Sequence, residues 1–317
     1  MIKNSAFFIS MNLKIQLGKL TLQNPVMVAS GTFGYAREMA AVFDLSRLGA
    51  MIPKTVTITP REGNQTPRAV ETTAGLLNAI GLDNDGIDRF LTEKLPDLKK
   101  YGSPIIVSVA VKSPEECDLF GEKLRKKASE IAAVELNVSC PNVSGGTDFG
   151  TDPMLCEEIV RRMRSVTEHF LMVKLTPNVT KIAEIAMAAA RGGADAVSAI
   201  NTCLGMSVDW RNREPRLANV VGGLSGPAIK PIALRCVHQI YQEFRKNGVN
   251  IPIVGIGGIA SAEDLLEFLV VGASAVQIGT ANFYNPTAAL QIIERLPQIL
   301  EENGIDDVNE LTGTLKY

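Results

Sequence analysis

Short apolar runs recur along the chain, and most of them are separated by segments with helical periodicity. Each run is nearly continuous in hydrophobic residues, a pattern typical of parallel strands that are covered on both faces. The runs span residues 25–30, 50–57, 104–110, 132–139, 170–177, 194–201, 251–258 and 273–280. They predict a parallel sheet of eight strands.

Amphipathic segments follow several of these runs, at 113–130, 152–166, 181–193, 231–248 and 261–272. The first begins with Ser113 and Pro114, a signal for a helix N-terminus, and the last three end in glycine, a frequent C-cap. Alternating strands and helices predict an α/β fold, a (β/α)8 TIM barrel. A doubly wound open sheet is the alternative, but no GxGxxG follows the first strand. The preceding segment 13–24 alternates around Gly18 and predicts an N-terminal β-hairpin that closes one end of the barrel.

A chain of 317 residues with 46% hydrophobic residues suits one large barrel, so we predict a single domain over residues 1–317. Residues 1–12 form a candidate disordered leader. The net charge of -2 argues against nucleic-acid or acidic-membrane binding, because both need a basic surface. No apolar run reaches the roughly 18–20 residues of a membrane span, and the N-terminus has no signal-peptide pattern. We expect a cytoplasmic protein.

Polar and glycine residues cluster where the predicted strands end. Chance polar residues would scatter along the strands, whereas these converge on the C-terminal ends, where barrel enzymes carry their active sites. We therefore expect a functional site from Ser30, Gly31, Lys54, Thr55, Ser108, Asn137, Ser139, Cys140, Lys174, Asn201, Thr202, Gly257, Gly258, Gly279 and Thr280.

The last two strands end in glycine-containing stretches, 255–258 and 278–281, which predict a phosphate site at the backbone and the following helix N-termini. Lys54 and Lys174 lie in apolar strands, and a buried lysine is costly unless an anion pairs with it. Glu135 is a candidate partner for one of them. Two cations beside a phosphate-bearing cofactor suit a flavin, since a lysine near the ring favours its reduction.

The five cysteines and two histidines show no CxxC or HxxxH spacing, so we predict no metal site, no disulfide framework and no iron–sulfur cluster held by this chain. His169 precedes the fifth strand, at the opposite end of the barrel. His238 falls within a helix beside charged residues. We interpret both histidines as surface residues.

A catalytic base must then come from a cysteine, because a thiolate can act as a base near neutral pH. Cys140 and Cys203 both follow strand ends. Cys140 has more polar neighbours and is the favoured one of the two, although spacing alone leaves Cys203 open. The remaining cysteines fall on apolar helix faces and are interpreted as core residues: Cys117, Cys156 and Cys236.

At these residues the chain resembles the catalytic subunit of class 1 dihydroorotate dehydrogenases. The resemblance covers nearly the whole chain, from NPVMVASGTFGY (24–35) to IGTANF (278–283). The motifs between them, in order, are KTVTITPREGN (54–64), NAIGLDN (78–84), NVSCPN (137–142), KLTPNVT (174–180), INTCLGM (200–206), GGLSGPAIKP (222–231) and GIGGI (255–259).

The resemblance implies oxidation of dihydroorotate to orotate in de novo pyrimidine (UMP) biosynthesis, within an FMN-binding barrel. FMN would take the hydride from C6, and Cys140 would remove the proton from C5. Class 2 enzymes use serine as the base and carry an N-terminal membrane extension, whereas this chain has cysteine and no such extension.

The resemblance also implies roles for individual residues. The FMN set would be Ser30, Gly31, Lys54, Thr55, Asn137, Lys174, Ile200, Gly226, Gly257, Gly258, Gly279 and Thr280. The substrate set would be Lys54, Asn78, Ala79, Ile80, Gly81, Leu82, Asn137, Asn142, Asn201 and Thr202. One departure is Ser108, where many members have asparagine, which puts a flavin contact from this position in doubt.

The overall pattern is most like subtype 1B, whose members pair with a subunit carrying FAD and a [2Fe–2S] cluster and pass electrons to NAD+. We expect a homodimer core or a heterotetramer. Subtype 1A, a fumarate-reducing homodimer, is the close alternative. Two others are a flavin barrel acting on uracil or a tRNA uridine, and a non-catalytic phosphate-binding barrel in which Lys54, Asn137 and Cys140 could change without chemical consequence.

Overall fold

The computed structural model describes residues 11–138 and 149–317. Within them the strands are β1 (Ile15–Leu17), β2 (Leu20–Leu22), β3 (Val26–Val28), β4 (Ala50–Met51), β5 (Ala69–Thr72), β6 (Gly75–Asn78), β7 (Ile106–Val109), β8 (Ala133–Asn137), β9 (Phe170–Leu175), β10 (Ala196–Ala199), β11 (Cys203–Met206), β12 (Val208–Asp209), β13 (Glu214–Pro215), β14 (Val221–Ser225), β15 (Ile253–Ile256) and β16 (Ala275–Ile278).

The α-helices of the same residues lie mostly between these strands. They are α1 (Gly86–Arg89), α2 (Leu95–Lys99), α3 (Pro114–Arg125), α4 (Pro153–Val166), α5 (Ile182–Arg191), α6 (Lys230–Lys246), α7 (Ala262–Val270), α8 (Ala281–Tyr284) and α9 (Ala288–Glu302). A π-helix joins α1 to α2 (Phe90–Lys94), and 3₁₀ turns occupy Met39–Ala41, Leu45–Arg47, Ala128–Glu130, Pro227–Ile229 and Val308–Leu311.

Eight of the strands form one parallel sheet, in the order β4-β3-β16-β15-β10-β9-β8-β7. Its two edges meet, because Met51 bridges Ile105 and Val56 bridges Val109, both in parallel register. The sheet is therefore a closed barrel, and the predicted (β/α)8 fold is confirmed over the open sheet. Every residue of β7, β8 and β9 is buried, which explains why these strands are continuous apolar runs rather than alternating ones.

The five predicted helical segments appear as α3, α4, α5, α6 and α7. Their apolar stripes pack against the outside of the barrel, as the buried side chains of Cys156, Ile159 and Met163 on α4 illustrate. The N-terminus of α7 is fixed by a capping box, in which Ser261 and Asp264 each bond the backbone N–H of the other.

The predicted N-terminal hairpin is confirmed as the antiparallel pair β1–β2, with Ile15 opposite Leu22. Its inward side chains, Ile15, Leu17 and Leu22, are at most 2% exposed. A Cβ built on Gly18 would lie 3.0 Å from Cε2 of Phe170, the first residue of β9. The hairpin therefore covers the N-terminal end of the barrel strands.

A second sheet forms at the opposite end, and the sequence did not predict it. It is antiparallel, with the order β11-β14-β6-β5, and is built from the long connection 202–226 and the segment 69–78. Its strands are short and half-exposed, so they lack the continuous apolar pattern of the barrel strands. Pairing of Asn78 with Gly223 holds the start of loop 78–82 against this sheet.

Candidate active site

A cavity of about 460 Å³ lies at the C-terminal ends of the barrel strands. Every residue that the family resemblance assigns to FMN lines it: Ser30, Gly31, Lys54, Thr55, Asn137, Lys174, Ile200, Gly226, Gly257, Gly258, Gly279 and Thr280. The fold thus brings residues from positions 30 to 280 into one chamber, as the clustering of polar strand ends predicts.

Most residues assigned to the substrate line the same cavity, namely Lys54, Asn78, Ile80, Gly81, Leu82, Asn137, Asn201 and Thr202. Ala79 belongs to the same loop, but its side chain packs with Leu77 and Leu217 rather than lining the cavity. Cys140 and Asn142 lie outside the described residues. Phe149, the first described residue after them, is buried in the main core.

A buried ion pair joins Lys174, which lines the cavity, to Glu135, which does not. Nζ of Lys174 is 3.9 Å from Oε1 of Glu135, and both side chains are at most 5% exposed. The other carboxylate oxygen, Oε2, accepts hydrogen bonds from Ser198 Oγ at 3.1 Å and from Gln277 Nε2 at 2.7 Å. Glu135, which the sequence suggested as a partner for one of the two lysines, therefore pairs with Lys174 in the structure.

Lys54 reaches the cavity because the second barrel strand is interrupted. Regular pairing of β4 ends at Met51, and the backbone N–H of Lys54 instead donates to the carbonyl of Gly34, in the loop after β3. Pairing resumes at Val56. Next to Lys54, the hydroxyl of Thr55 lies 2.9 Å from that of Ser108, which is buried and is not among the residues lining the cavity.

A glycine-rich corner closes the cavity at the ends of β14, β15 and β16. Gly258 has a φ of 74°, which side chains disfavour, and a Cβ there would lie 2.7 Å from Cβ of Lys230. Lys230 is itself held by Asp264 and Glu267, at 2.6 and 2.9 Å. This corner therefore presents backbone rather than side chains, the arrangement in which N–H groups can approach a phosphate.

The loop 78–82 is fixed from below by two asparagines. Nδ2 of Asn64 donates to the carbonyl of Ala79, and its backbone N–H donates to that of Ile80. Nδ2 of Asn84 donates to the carbonyl of Leu82, whose φ of 59° is uncommon for a residue with a side chain. The loop therefore has a defined shape along the cavity wall.

Amide side chains form a row on the neighbouring strand ends. Nδ2 of Asn201 lies 3.5 Å from Oδ1 of Asn137, and Oδ1 of Asn201 accepts from the backbone N–H of Thr202. Asn178 supports this segment from behind, by donating to the carbonyl of Thr202 and accepting from the N–H of Leu204. Amides offer both donors and acceptors, as recognition of a polar ring requires.

The four described cysteines differ from what a base near neutral pH requires. Burial raises the pKa of the Cys117 and Cys156 thiols to about 12, and it also raises the pKa of Cys203 and Cys236. A raised pKa leaves little thiolate at neutral pH. Burial therefore argues against Cys203, the open alternative, as a base near neutral pH.

Both histidines lie away from the cavity in the described part of the chain. His169 bonds Thr167 just before β9, and burial lowers the pKa of its imidazole. His238 lies on α6 with Nε2 2.9 Å from the hydroxyl of Tyr317.

Within residues 11–138 and 149–317, no group of three or more His, Cys, Asp or Glu side chains could hold a metal. Over the same ranges, no helix is long and apolar enough to cross a bilayer.

Sequence reasoning missed several residues of the cavity wall. Ser225 accepts a hydrogen bond from Thr280 at 2.8 Å, and Phe283 and Tyr284 line the cavity while more than half exposed. Ser225 and Phe283 lie inside motifs that carry the family resemblance, Ser225 next to Gly226 and Phe283 three residues after Thr280. Their closeness to assigned residues was the available signal. The other missed residues are Ala29, Thr32, Ala69, Leu76, Ile229, Ile256, Ile259 and Ala281.

Comparison with known proteins identifies the family of this chain. The family model described as dihydroorotate dehydrogenase matches residues 12–300. The catalytic subunit of dihydroorotate dehydrogenase B (NAD(+)) from Geotalea uraniireducens is 52% identical, over 96% of this chain and 98% of its own length. The proteins of the same name from Desulforamulus reducens and Alkaliphilus oremlandii are 49% and 47% identical, over 96% of this chain and 98% and 99% of their own lengths. The chain belongs to the dihydroorotate dehydrogenase family and is similar to proteins named as catalytic subunits of its NAD(+) enzymes.

Proposed function

We propose that the protein oxidises (S)-dihydroorotate to orotate in de novo pyrimidine biosynthesis, with FMN as the hydride acceptor. The observation that carries the proposal is the composition of the cavity. It combines two lysines, a row of amides and a glycine-rich corner, and it collects every residue that the family motifs assign to the cofactor. Its volume lies in the range of roughly 300–1,000 Å³ that is usual for ligand sites.

The described residues fit FMN. The corner formed by Gly226, Gly257 and Gly258 would hold the phosphate through backbone N–H groups. Lys174 would face the part of the ring that gains negative charge, and Thr55 and Ser30 would contact the ring edge. When bound, FMN supplies the acceptor for the hydride from C6 of the substrate. The chain's own part is to fix that ring against the substrate pocket.

The substrate would lie between loop 78–82 and the amide row. Asn78, Asn137 and Asn201 would hold its polar ring atoms, and Lys54 would pair with its carboxylate. We assign removal of the C5 proton to Cys140, with Asn142 as a neighbouring substrate contact. The raised pKa of Cys203 argues against the other loop cysteine as the base.

We further propose that the electrons pass to NAD+ through a partner subunit that carries FAD and a [2Fe–2S] cluster. The support is the printed name of the relatives, a catalytic subunit of an NAD(+) enzyme. A homodimer core within a heterotetramer would suit such an arrangement. We also propose a cytoplasmic location, since the four described cysteines are free thiols, as is usual in a reducing compartment.

The first test is spectroscopic. The purified chain should be yellow, should release FMN on denaturation, and should bleach when dihydroorotate is added without oxygen. A colourless protein that gains no dihydroorotate oxidation when FMN is added would contradict the proposal. Bleaching by uracil or dihydrouracil instead of dihydroorotate would point to another pyrimidine oxidoreductase.

The electron acceptor needs a separate measurement, made on the isolated chain and on the chain with its copurifying partner. NAD+ reduction only in the presence of a flavin and iron–sulfur partner is expected. Efficient fumarate reduction by the isolated chain would instead support the subtype 1A alternative.

A further inference from the structure

Glu135 is a fully buried carboxylate that the proposed reaction does not use. It lies inside the barrel on β8, with an exposure of 0%. Its partners come from three other strands, Lys174 on β9, Ser198 on β10 and Gln277 on β16. Building a charge into this position is expensive, and an apolar side chain of similar size would fill the space at lower cost. The charge therefore needs an explanation beyond packing.

The strand register places Glu135 one layer below the cavity. Glu135 and Asn137 are two residues apart on β8, so their side chains point to the same side of the strand. Asn137 lines the cavity, whereas Glu135 does not. Asn137 is also the direct cross-strand neighbour of Lys174. Glu135 therefore lies one layer deeper in the barrel than the cavity wall. Lys174 and Asn137 separate its carboxylate from any ligand in the cavity.

The two oxygens of the carboxylate are used differently. Both neutral donors, Ser198 Oγ and Gln277 Nε2, bond Oε2. Oε1 accepts no hydrogen bond from the described residues and lies 3.9 Å from Nζ of Lys174. At that separation the contact is Coulombic, and such an interaction is much stronger in a buried site than in water. Oε2 therefore holds the carboxylate in place through two hydrogen bonds, and Oε1 faces the ammonium group of Lys174.

We propose that Glu135 is a positioning residue that lowers the reduction potential of the bound flavin by offsetting the charge of Lys174. The inference rests on the proposed FMN site. Reduced flavin carries more negative charge than oxidised flavin, so a cation in the cavity wall favours reduction. A carboxylate on the far side of that cation weakens its effect. Glu135 then holds the lysine in place while limiting how strongly it draws electrons to the ring.

The test is the potential of the FMN-loaded protein carrying Glu135→Gln, measured by equilibration with a reference dye. The amide keeps the size of the side chain and removes its charge. The equilibrium should shift towards reduced flavin by about tenfold or more, which is about 30 mV for a two-electron couple. Affinity for oxidised FMN should change by less than about threefold. An unchanged potential in a folded, FMN-loaded variant would overturn the inference.

A matched control is Ser198→Ala, which removes a hydrogen bond to the same carboxylate without changing its charge. Its redox equilibrium with the reference dye should stay within about threefold of the wild-type value. An equal shift in both variants would mean that local disruption, rather than charge, moves the potential. If Glu135→Gln does not fold, Glu135→Met removes the same charge without a buried amide, and the same upward shift is expected.

A double-mutant cycle tests whether Glu135 acts through Lys174. In a Lys174→Met background the buried carboxylate has no cation to pair with and should take up a proton. Glu135→Gln then removes no charge and should shift the redox equilibrium by less than about threefold. A full shift in that background would overturn the inference. The proposed function is judged separately on the wild-type protein. A wild type without FMN, or not reduced by dihydroorotate, defeats the proposed function, whereas a normal wild type with an unshifted Glu135→Gln defeats only this inference.

Discussion

The two ends of the barrel are built from the same strands but contain different chemistry. At the N-terminal end, the hairpin β1–β2 buries Ile15, Leu17 and Leu22 against the strand starts. At the C-terminal end, the strands finish in lysines, amides and glycines around a cavity of about 460 Å³. The contrast is visible within β9, where Phe170 packs near the hairpin and Lys174 lines the cavity.

This difference shows how one core can support both stability and function. The apolar end is closed by ordinary packing, which costs nothing in desolvation. The polar end keeps buried charge, such as Lys174 and Glu135, which only a rigid surrounding structure can hold in place. Substitutions at the C-terminal end should therefore alter chemistry, and substitutions at the N-terminal end should alter stability. Each of the following predictions tests that separation.

The largest effect is expected from Cys140→Ala, which removes the proposed base. We expect the protein to keep its FMN and its thermal stability, while the turnover number falls by about 10²–10⁴, the usual contribution of a positioned base. Cys140→Ser should retain part of the activity and recover with rising pH. The measurements are steady-state turnover and flavin absorbance.

The control for this substitution is Cys203→Ala, which changes the other loop cysteine. Because burial raises the pKa of Cys203, this thiol is a poor base, and the variant should keep most of the turnover. An inactive Cys203→Ala beside an active Cys140→Ala would reverse the assignment.

The next effect belongs to the apolar end. Leu17→Ala removes a side chain that is 1% exposed in the hairpin, and we expect it to lower the free energy of unfolding by about 2–5 kcal/mol. Turnover per folded molecule should not change, because the hairpin lies at the opposite end from the cavity. Urea unfolding and turnover at low temperature measure the two quantities.

Leu119→Ala is the matched control for Leu17→Ala. Leu119 is 44% exposed on α3, so its loss should cost less than about 0.5 kcal/mol. If Leu17→Ala instead reduced turnover per folded molecule tenfold, the two ends would not be independent.

A smaller effect is expected in the glycine-rich corner. Gly258→Ala would place a Cβ 2.7 Å from Cβ of Lys230 at a φ of 74°, so the backbone there must shift. We expect FMN affinity to fall by about tenfold, which is about 1.4 kcal/mol of binding free energy. Gly248→Ala is the control, since Gly248 has a φ of 67° with nothing within 4 Å of a built Cβ. It should be strained to a similar degree but bind FMN normally, and equal losses in both variants would refute a local role for the corner.

The sequence predicted the parts of the fold that depend on local pattern. Continuous apolar runs predicted the eight barrel strands, and alternation around Gly18 predicted the hairpin. Each pattern indicates which faces of a strand are buried. The site could be predicted because parallel strands end at one edge. Polar residues as far apart as Ser30 and Thr280 must then meet, as they do.

The parts that escaped prediction depend on partners distant in the chain. β6 and β14 are short and half-exposed, and they join one sheet because they pair with each other across more than a hundred residues. Phe283 sits on α8, a helix of four residues, which is too short to show a periodic pattern. The sequence also could not predict the direction of the Ala79 side chain, because that direction depends on packing with Leu217.

The smallest effect concerns pH at the apolar end. Burial, aided by the charges of Arg164 and Lys19, lowers the pKa of His169 below its ordinary value of 6.5. Between the lowered pKa and 6.5 the unfolded chain binds more protons than the folded one, so stability is full above 6.5 and is lost as the pH falls below it. His169→Gln should therefore lose less stability than wild type between about pH 7.5 and pH 5, as measured by urea midpoints.

FMN retention should be the same in both proteins at both pH values, because His169 lies at the end away from the cavity. An identical pH dependence of the urea midpoint in the two proteins would show that His169 does not cause it. Loss of FMN in the variant alone would show that a substitution at the apolar end alters the cavity.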